Sequence, residues 1–276
     1  MAILQPIHDI AEICAKKNIT DVILCPGSRS AALTISFVRH PEIKTYSIAD
    51  ERSAAFIGMG MALQSGRTVA IVCTSGSAAY NFAPAVVEAY FQEIPLLILT
   101  ADRPSEWIHQ YDGQTIFQRE IYGKHVKKSF NLPVEYANSD VVWQIEREIN
   151  EAINLSQTEP KGPVHVNVPI REPFYPNETE KINYSSNVRI INLFKPEKVV
   201  SKNSWDEIFE IWESSEKKLI AVGQNNFNLS NILSKISTEF NVPVLGDIIS
   251  NLDRNTEFIS SHDIFLSSKP NSDLQP

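Results

Sequence analysis

Short runs of nearly unbroken apolar character alternate with amphipathic stretches over the first 170 residues, and this limits the fold more than any other feature of the chain. A strand that is apolar on both sides must be covered on both faces. Amphipathic helices between such strands supply the cover, so the pattern calls for an α/β architecture: a parallel sheet with helices on both faces. The runs at 21–25, 43–48, 68–73 and 95–100 read as strands. The spacing of Ile7, Ile10, Ala11 and Cys14 reads as a helix, as do stretches near 30–39, 51–64 and 77–91. Past Pro104 a polar loop leads to an expected short helix near 114–121, a strand near 125–131, a helix near 138–155 and a last strand bounded by Pro163 and Pro169. One α/β domain over 1–175 is therefore expected.

From 176 to 198 the composition turns to Pro, Asn, Ser, Glu and Lys, as in a linker. A second α/β unit starts at 199. Trp205, Ile208, Phe209, Ile211 and Trp212 share a helix face, 219–223 and 242–246 read as strands, and Ile232, Leu233 and Ile236 read as a helix between them. So few strands make an open sheet, and 199–276 is expected to be an incomplete domain of a longer protein.

The balance of 43% hydrophobic and 21% charged residues is that of an ordinary globular protein. A net charge of −8 argues against nucleic acid or an anionic membrane as main partner, since both need a basic surface. Small anions remain open, because a few placed arginines suffice for them. Cys14, Cys25 and Cys73 are odd in number and set in apolar runs, which indicates buried thiols rather than disulfides or zinc. No run approaches the length of a spanning helix and the N-terminus has no secretory pattern, so a cytoplasmic protein is expected. His8, His40, His109, His125, His165 and His262 show no metal-ligand spacing and read as surface or packing residues, with His109 placed to reach a pocket after Arg103.

Several strand ends carry polar groups. Cys25-Pro-Gly-Ser-Arg-Ser30 follows the first strand and opens a helix, where Ser28 faces free N–H groups and Arg29 suits a carboxylate; an ordinary turn with a solvated arginine is the alternative. Asp50 precedes a helix and has a dipole role, whereas Glu51, followed by small residues that allow close packing, is a candidate tuned acid or base. Cys73-Thr-Ser-Gly-Ser-Ala78 is either a ligand-binding turn or an N-cap by Ser75 or Ser77. Arg103 either pairs with Asp102 or another acid, or binds a ligand. Gly58 and Gly60 suggest a dinucleotide fingerprint only superficially, since Leu63 stands at the third position and the run lies inside a helix. Arg29, Glu51, the Ser75–Ser77 turn and Arg103 all fall at the C-terminal ends of expected parallel strands, which gathers them into one candidate anion site.

Cys-Pro-Gly-Ser-Arg-Ser at 25–30, Asp-Glu-Arg at 50–52, Thr-Ser-Gly-Ser-Ala at 74–78 with Asn81, Pro84-Ala-Val-Val-Glu-Ala89 and Leu-Thr-Ala-Asp-Arg-Pro at 99–104 resemble, in order and spacing, the thiamine-diphosphate-dependent enzymes. With Gln114-Thr-Ile and Tyr122-Gly123, the chain is most similar within that family to the menaquinone-pathway synthases that join 2-oxoglutarate to isochorismate. The strong stretch is about 20–125. The resemblance implies a transferase whose N-terminal domain binds the aminopyrimidine of thiamine diphosphate. It implies Glu51 as the catalytic, cofactor-activating glutamate and Ser75, Gly76, Ser77 and Asn81 as the cofactor-side turn. Ser28, Arg29, Arg103 and Gln114 match positions lining the substrate pocket. A homodimer or larger assembly is implied too, because family sites lie between chains.

The departures also matter. The family's Gly-Asp-Gly and following Asn, which hold Mg²⁺ or Mn²⁺ in its C-terminal diphosphate-binding domain, are absent, and Gly246-Asp247-Ile248 lacks the second Gly. The chain alone is expected to bind cofactor poorly and turn nothing over. Two other readings stay open: an acetolactate-synthase-like 2-keto-acid enzyme, which has less use for two pocket arginines, and a non-catalytic α/β binding module.

Overall fold

The computed structural model describes residues 4–172, 175, 181–194, 196–225, 227–253 and 257–261. His262 and the tail after it lie outside these residues. The chain divides into two compact units, Met1–Lys195 and Pro196–Pro276. Among the described residues no helix is long and apolar enough to cross a membrane.

Unit 1 is built on six strands: β1 (Asp21–Leu24), β2 (Lys44–Ser47), β3 (Val69–Cys73), β4 (Leu96–Asp102), β5 (Ser129–Asn131) and β6 (Val164–Pro169). They pair in parallel throughout, in the order β2-β1-β3-β4-β6-β5. Pleating sends alternate side chains to opposite faces. Val22, Leu24, Ala70, Val72, Leu97 and Leu99 join one core with α1 (Gln5–Lys16), α2 (Ala31–Val38) and α6 (Ser139–Gln157). Ile23, Ile71, Cys73, Leu96 and Ile98 join a second with α3 (Glu51–Ser65), α4 (Ser77–Asn81) and α5 (Ala83–Phe91). The parallel, doubly covered sheet expected from the alternation is thus present. Gly58 serves close packing of α3 on the sheet, since a Cβ there would come within 2.7 Å of Ile71.

Three expectations need correction. The single helix expected over 77–91 is two, meeting at Phe82, because Pro84 in the first turn of α5 has no N–H to continue the ladder. No helix forms over 114–121: Gln114 and Glu120 have φ of 57° and 57°, outside the helical well, and the segment runs as turns. Finally, residues 183–191 of the expected linker are tied to unit 1. Ser185 donates through its N–H and hydroxyl to Asp9 at 2.9 and 2.7 Å, Asn150 bonds Arg189 O and the Ile191 N–H, and Lys16 and Lys17 reach the carbonyls of Ser186 and Ile191. Backbone groups of this segment, joined by the Ser185 hydroxyl, satisfy side chains of α1 and α6 and the loop after α1 where a solvated tether would leave them to water.

Unit 2 contains α7 (Lys202–Ser214), β7 (Ile220–Val222), α8 (Ser230–Phe240), β8 (Val244–Gly246) and β9 (Phe258–Ile259), the strands forming a parallel sheet in the order β7-β8-β9. Its buried core is small, Leu233, Val244 and Phe258, and Trp205, Ile208, Phe209 and Ile211 of α7 are exposed.

Candidate active site

The chain runs from β1 out to the edge strand β2 and returns past β1 to β3, so the loops after β1 and β3 part in opposite directions and open a crevice at their C-terminal ends. The loops after β1, β3, β4 and β6 and the first turn of α3 carry the candidate residues.

Arg29 and Arg103 are both buried. Arg29 donates from Nη1 to Ile170 O at 3.0 Å and lies 3.6 Å from the exposed carboxylate of Glu172. Its acidity is raised first by burial and then by the nearby positive charge of Arg103. Two guanidiniums close enough to repel each other favour an anion between or beside them. Arg103 donates from Nε to Asp112 and from Nη1 to Ser75 Oγ, both at 2.5 Å, while its Nη2 donors make no hydrogen bond among the described residues. The sequence left open whether Arg103 pairs with Asp102 or another acid; its side chain pairs with Asp112, and only its backbone N–H reaches Asp102, at 2.8 Å. A 380 Å³ cavity is lined by Arg29, Pro104, Trp107, Asp112, Arg171 and Glu172.

The turn after β3 is shaped by backbone geometry. Gly76 has φ 88° and ψ −146°, a region closed to residues with a Cβ, and an added Cβ would lie 2.9 Å from the backbone oxygen of Gln114. Gly76 itself stands at the N-cap of α4 with no side-chain cap, so the capping role considered for Ser75 or Ser77 does not hold. Gly27 is equally constrained, a Cβ there falling 2.4 Å from the Thr74 side chain. The hydroxyl of Thr74 is buried and has no hydrogen-bond partner among the described residues.

Glu51 is the first residue of α3, behind Asp50, which caps the helix by accepting from Ser53 N at 2.7 Å. The Glu51 carboxylate is half-buried and makes no hydrogen bond among the described residues. Its charge is felt by Cys25 and Cys73, whose thiols are pushed up chiefly by burial, Cys25 to about 12. Glu51 therefore stands over the ends of β1 and β3. Ser28, Ser77 and Asn81 are exposed, Asn81 donating to Ser77 O at 3.1 Å. Gln114 is exposed and meets the site through its backbone over Gly76. His109 is exposed beside Phe117 and is absent from the lining of the arginine cavity.

Sequence reasoning missed the groups beneath. Gln118, fully buried, accepts from Gly76 N at 2.7 Å and donates to Ala101 O and Asn167 Oδ1. Asn167 donates to Asp102 Oδ2 at 2.8 Å. Thr100 donates to Asn167 Oδ1 and contacts His165 Nε2 at 2.8 Å, and Ser129 lies 2.9 Å from the other ring nitrogen. Burial drives the His165 pKa down to about 3, and the Asp102 carboxyl is pushed up by burial against the pull of its donors. The one available signal was polar residues at alternate positions of an otherwise apolar strand, His165 and Asn167.

Residues 7–126 match the family model described as thiamine pyrophosphate enzyme, N-terminal TPP binding domain. The chain is similar to the 2-succinyl-5-enolpyruvyl-6-hydroxy-3-cyclohexene-1-carboxylate synthases of Cytophaga hutchinsonii, 46% identical over 99% of this chain and 48% of that protein, and of Flavobacterium johnsoniae, 40% identical over 97% and 47%. It thus spans about half the length of the curated relatives it matches. Among solved structures it resembles a thiamine diphosphate-dependent 4-hydroxybenzoylformate decarboxylase of Rhodococcus jostii, with a TM-score of 0.65 over 88% of this chain and 44% of that one; at 16% identity this shows a shared fold.

Proposed function

We propose that the chain belongs to the thiamine-diphosphate-dependent enzymes and is the N-terminal part of a 2-succinyl-5-enolpyruvyl-6-hydroxy-3-cyclohexene-1-carboxylate synthase, a transferase of menaquinone biosynthesis acting on 2-oxoglutarate and isochorismate. The observation that carries the reading is the pair of buried guanidiniums, Arg29 and Arg103, the second bonded to Ser75 of the turn after β3. Such a pair suits a dicarboxylate acceptor, whereas a small keto acid with a single carboxylate would match only one of the two.

The residues present fit the aminopyrimidine half of the cofactor. Gly76 keeps the backbone open where a Cβ would close it, and among the described residues neither the buried Thr74 hydroxyl nor the Glu51 carboxylate has a hydrogen-bond partner. Bound thiamine diphosphate supplies the electron sink for decarboxylation and carbon–carbon bond formation. Glu51 holds a proton at a pyrimidine ring nitrogen. Ser75, Gly76, Ser77 and Asn81 line the cofactor side, while Ser28, Arg29, Arg103 and Gln114 orient the acceptor. The reading brings with it Mg²⁺ or Mn²⁺ held by residues outside this chain. Among the described residues no three His, Cys, Asp or Glu side chains gather as a metal site.

The reading also includes a cytoplasmic homodimer. Phe56, Ile57 and Leu63 of α3, with Tyr80 of α4 and Phe91 of α5, are exposed large apolar side chains that a second copy would cover. The test is turnover by the full-length protein given 2-oxoglutarate with isochorismate, against pyruvate alone. Product from the first pair is expected, and its absence sinks the reading. Glu51→Gln should lower kcat by about 10² or more if the carboxylate is the proton partner.

A further inference from the structure

A closed ring of hydrogen bonds runs beneath the site. From Gly76 N–H it passes to Gln118 Oε1 at 2.7 Å, from Gln118 Nε2 to Asn167 Oδ1 at 3.0 Å, and from Asn167 Nδ2 to Asp102 Oδ2 at 2.8 Å. The other Asp102 oxygen accepts from Arg103 N at 2.8 Å, and Arg103 Nη1 reaches Ser75 Oγ at 2.5 Å, next in the chain to Gly76. All six residues are buried. They come from three neighbouring strands, β3, β4 and β6, or the turns that follow them, and from the loop that carries Gln114.

We propose that Gln118 and Asn167 are positioning residues that lock the cofactor-side turn and the substrate-side arginine to one another, so that a ligand on either side is sensed by the other. The identity of the two ligands rests on the proposed function; the ring itself does not. A buried amide that loses its partner costs far more than an exposed one, so the ring moves as a unit or not at all. Arg103 is held through Nε by Asp112 and through Nη1 by Ser75, which leaves the Nη2 edge and the second Nη1 hydrogen without a hydrogen bond among the described residues. The direction of that edge is therefore set by where the Ser75-Gly76 turn lies, and Gln118 sets the turn.

The first test uses isotopically labelled chain without ligand. Gln118→Met keeps the side chain's length and removes its donor and acceptor. It should speed exchange of the Gly76 amide by about tenfold and also shift the Arg103 Nε–Hε resonance, although Gln118 has no hydrogen bond to Arg103. Ser75→Ala, on the opposite arc, should shift the side-chain amide resonances of Gln118, and it carries the test if Gln118→Met does not fold. A silent Arg103 in the first variant, or a silent Gln118 in the second, overturns the coupling. In the full-length enzyme each variant should raise both the acceptor KM and the thiamine diphosphate Kd by about tenfold, with the double variant little worse than the more damaging single. Fully multiplicative effects, or a change confined to one ligand, overturn it. A wild-type enzyme that fails to turn over 2-oxoglutarate with isochorismate refutes the proposed function, and the resonance shifts then decide the ring alone.

Discussion

Acid should weaken unit 1 through one imidazole. His165 is the second residue of β6, wholly buried, between Thr100 and Ser129 and edge-on to the Tyr122 ring at 4.9 Å. Burial lowers its pKa from 6.5 to about 3. Below about pH 6.5 the unfolded chain binds a proton that the folded chain refuses, so stability falls as pH falls and keeps falling until the folded pKa is approached. At about 1.4 kcal/mol per unit, moving from pH 7.5 to 5.0 removes on the order of 2 kcal/mol through this group alone. His165→Gln keeps an acceptor and a donor in the same place and removes the titration. Urea unfolding of both proteins at the two pH values should show a pH dependence smaller by about 2 kcal/mol in the variant, and hydrogen exchange at β4 and β6 amides should confine the difference to unit 1. Carboxylates titrate alike in both and cancel. Equal slopes would mean that His165 is not neutral in the fold, and the reasoning would fail.

Gly76→Ala should destabilise unit 1 by about 2–4 kcal/mol, combining the positive φ with the clash on Gln114, and should weaken thiamine diphosphate binding in the full-length protein; calorimetry reads both. Lys127 donates from Nζ to the carbonyls of Leu155, Thr158 and Pro160, each at 2.6 Å, closing the C-terminal end of α6. Lys127→Met should cost about 1–3 kcal/mol in chemical denaturation with little change in ligand binding. Phe56→Asp on the bare face of α3 should shift the full-length protein toward monomer in sedimentation while leaving its helical circular dichroism intact.

The strands and most helices were legible because burial on two faces leaves a compositional mark: β3 and β4 are apolar at nearly every position, and both are buried throughout. The break at Phe82 has its own mark in the sequence, Pro84, which outweighs the apolar spacing around it. The turn at 112–120 has none. Its hydrophobic positions mimic a helix, and what decides it is tertiary, the burial of Gln118 under Gly76. At the site, topology alone gathers residues on strand ends, Arg29, Glu51, Ser75 and Arg103 among them. Topology says nothing of which side chains then turn inward. Gln114 stays outside and Gln118, four residues on, goes in. The hold of residues 183–191 on α1 and α6 left no mark because it is made mostly by backbone groups, which every sequence has.

The ring beneath the site has one further property. Asp102 accepts on both oxygens, so Asn167 must turn its nitrogen toward it and its oxygen toward Thr100 and Gln118. The single Thr100 hydrogen is then committed to Asn167, which obliges His165 to carry its proton on Nε2. Tautomer, hydroxyl rotor and two amide flips are thereby one choice rather than four. A variant that reverses any member, such as an acid in place of Asn167, confronts acceptor with acceptor somewhere along the whole line, and its repair has to be made at a residue far from the change.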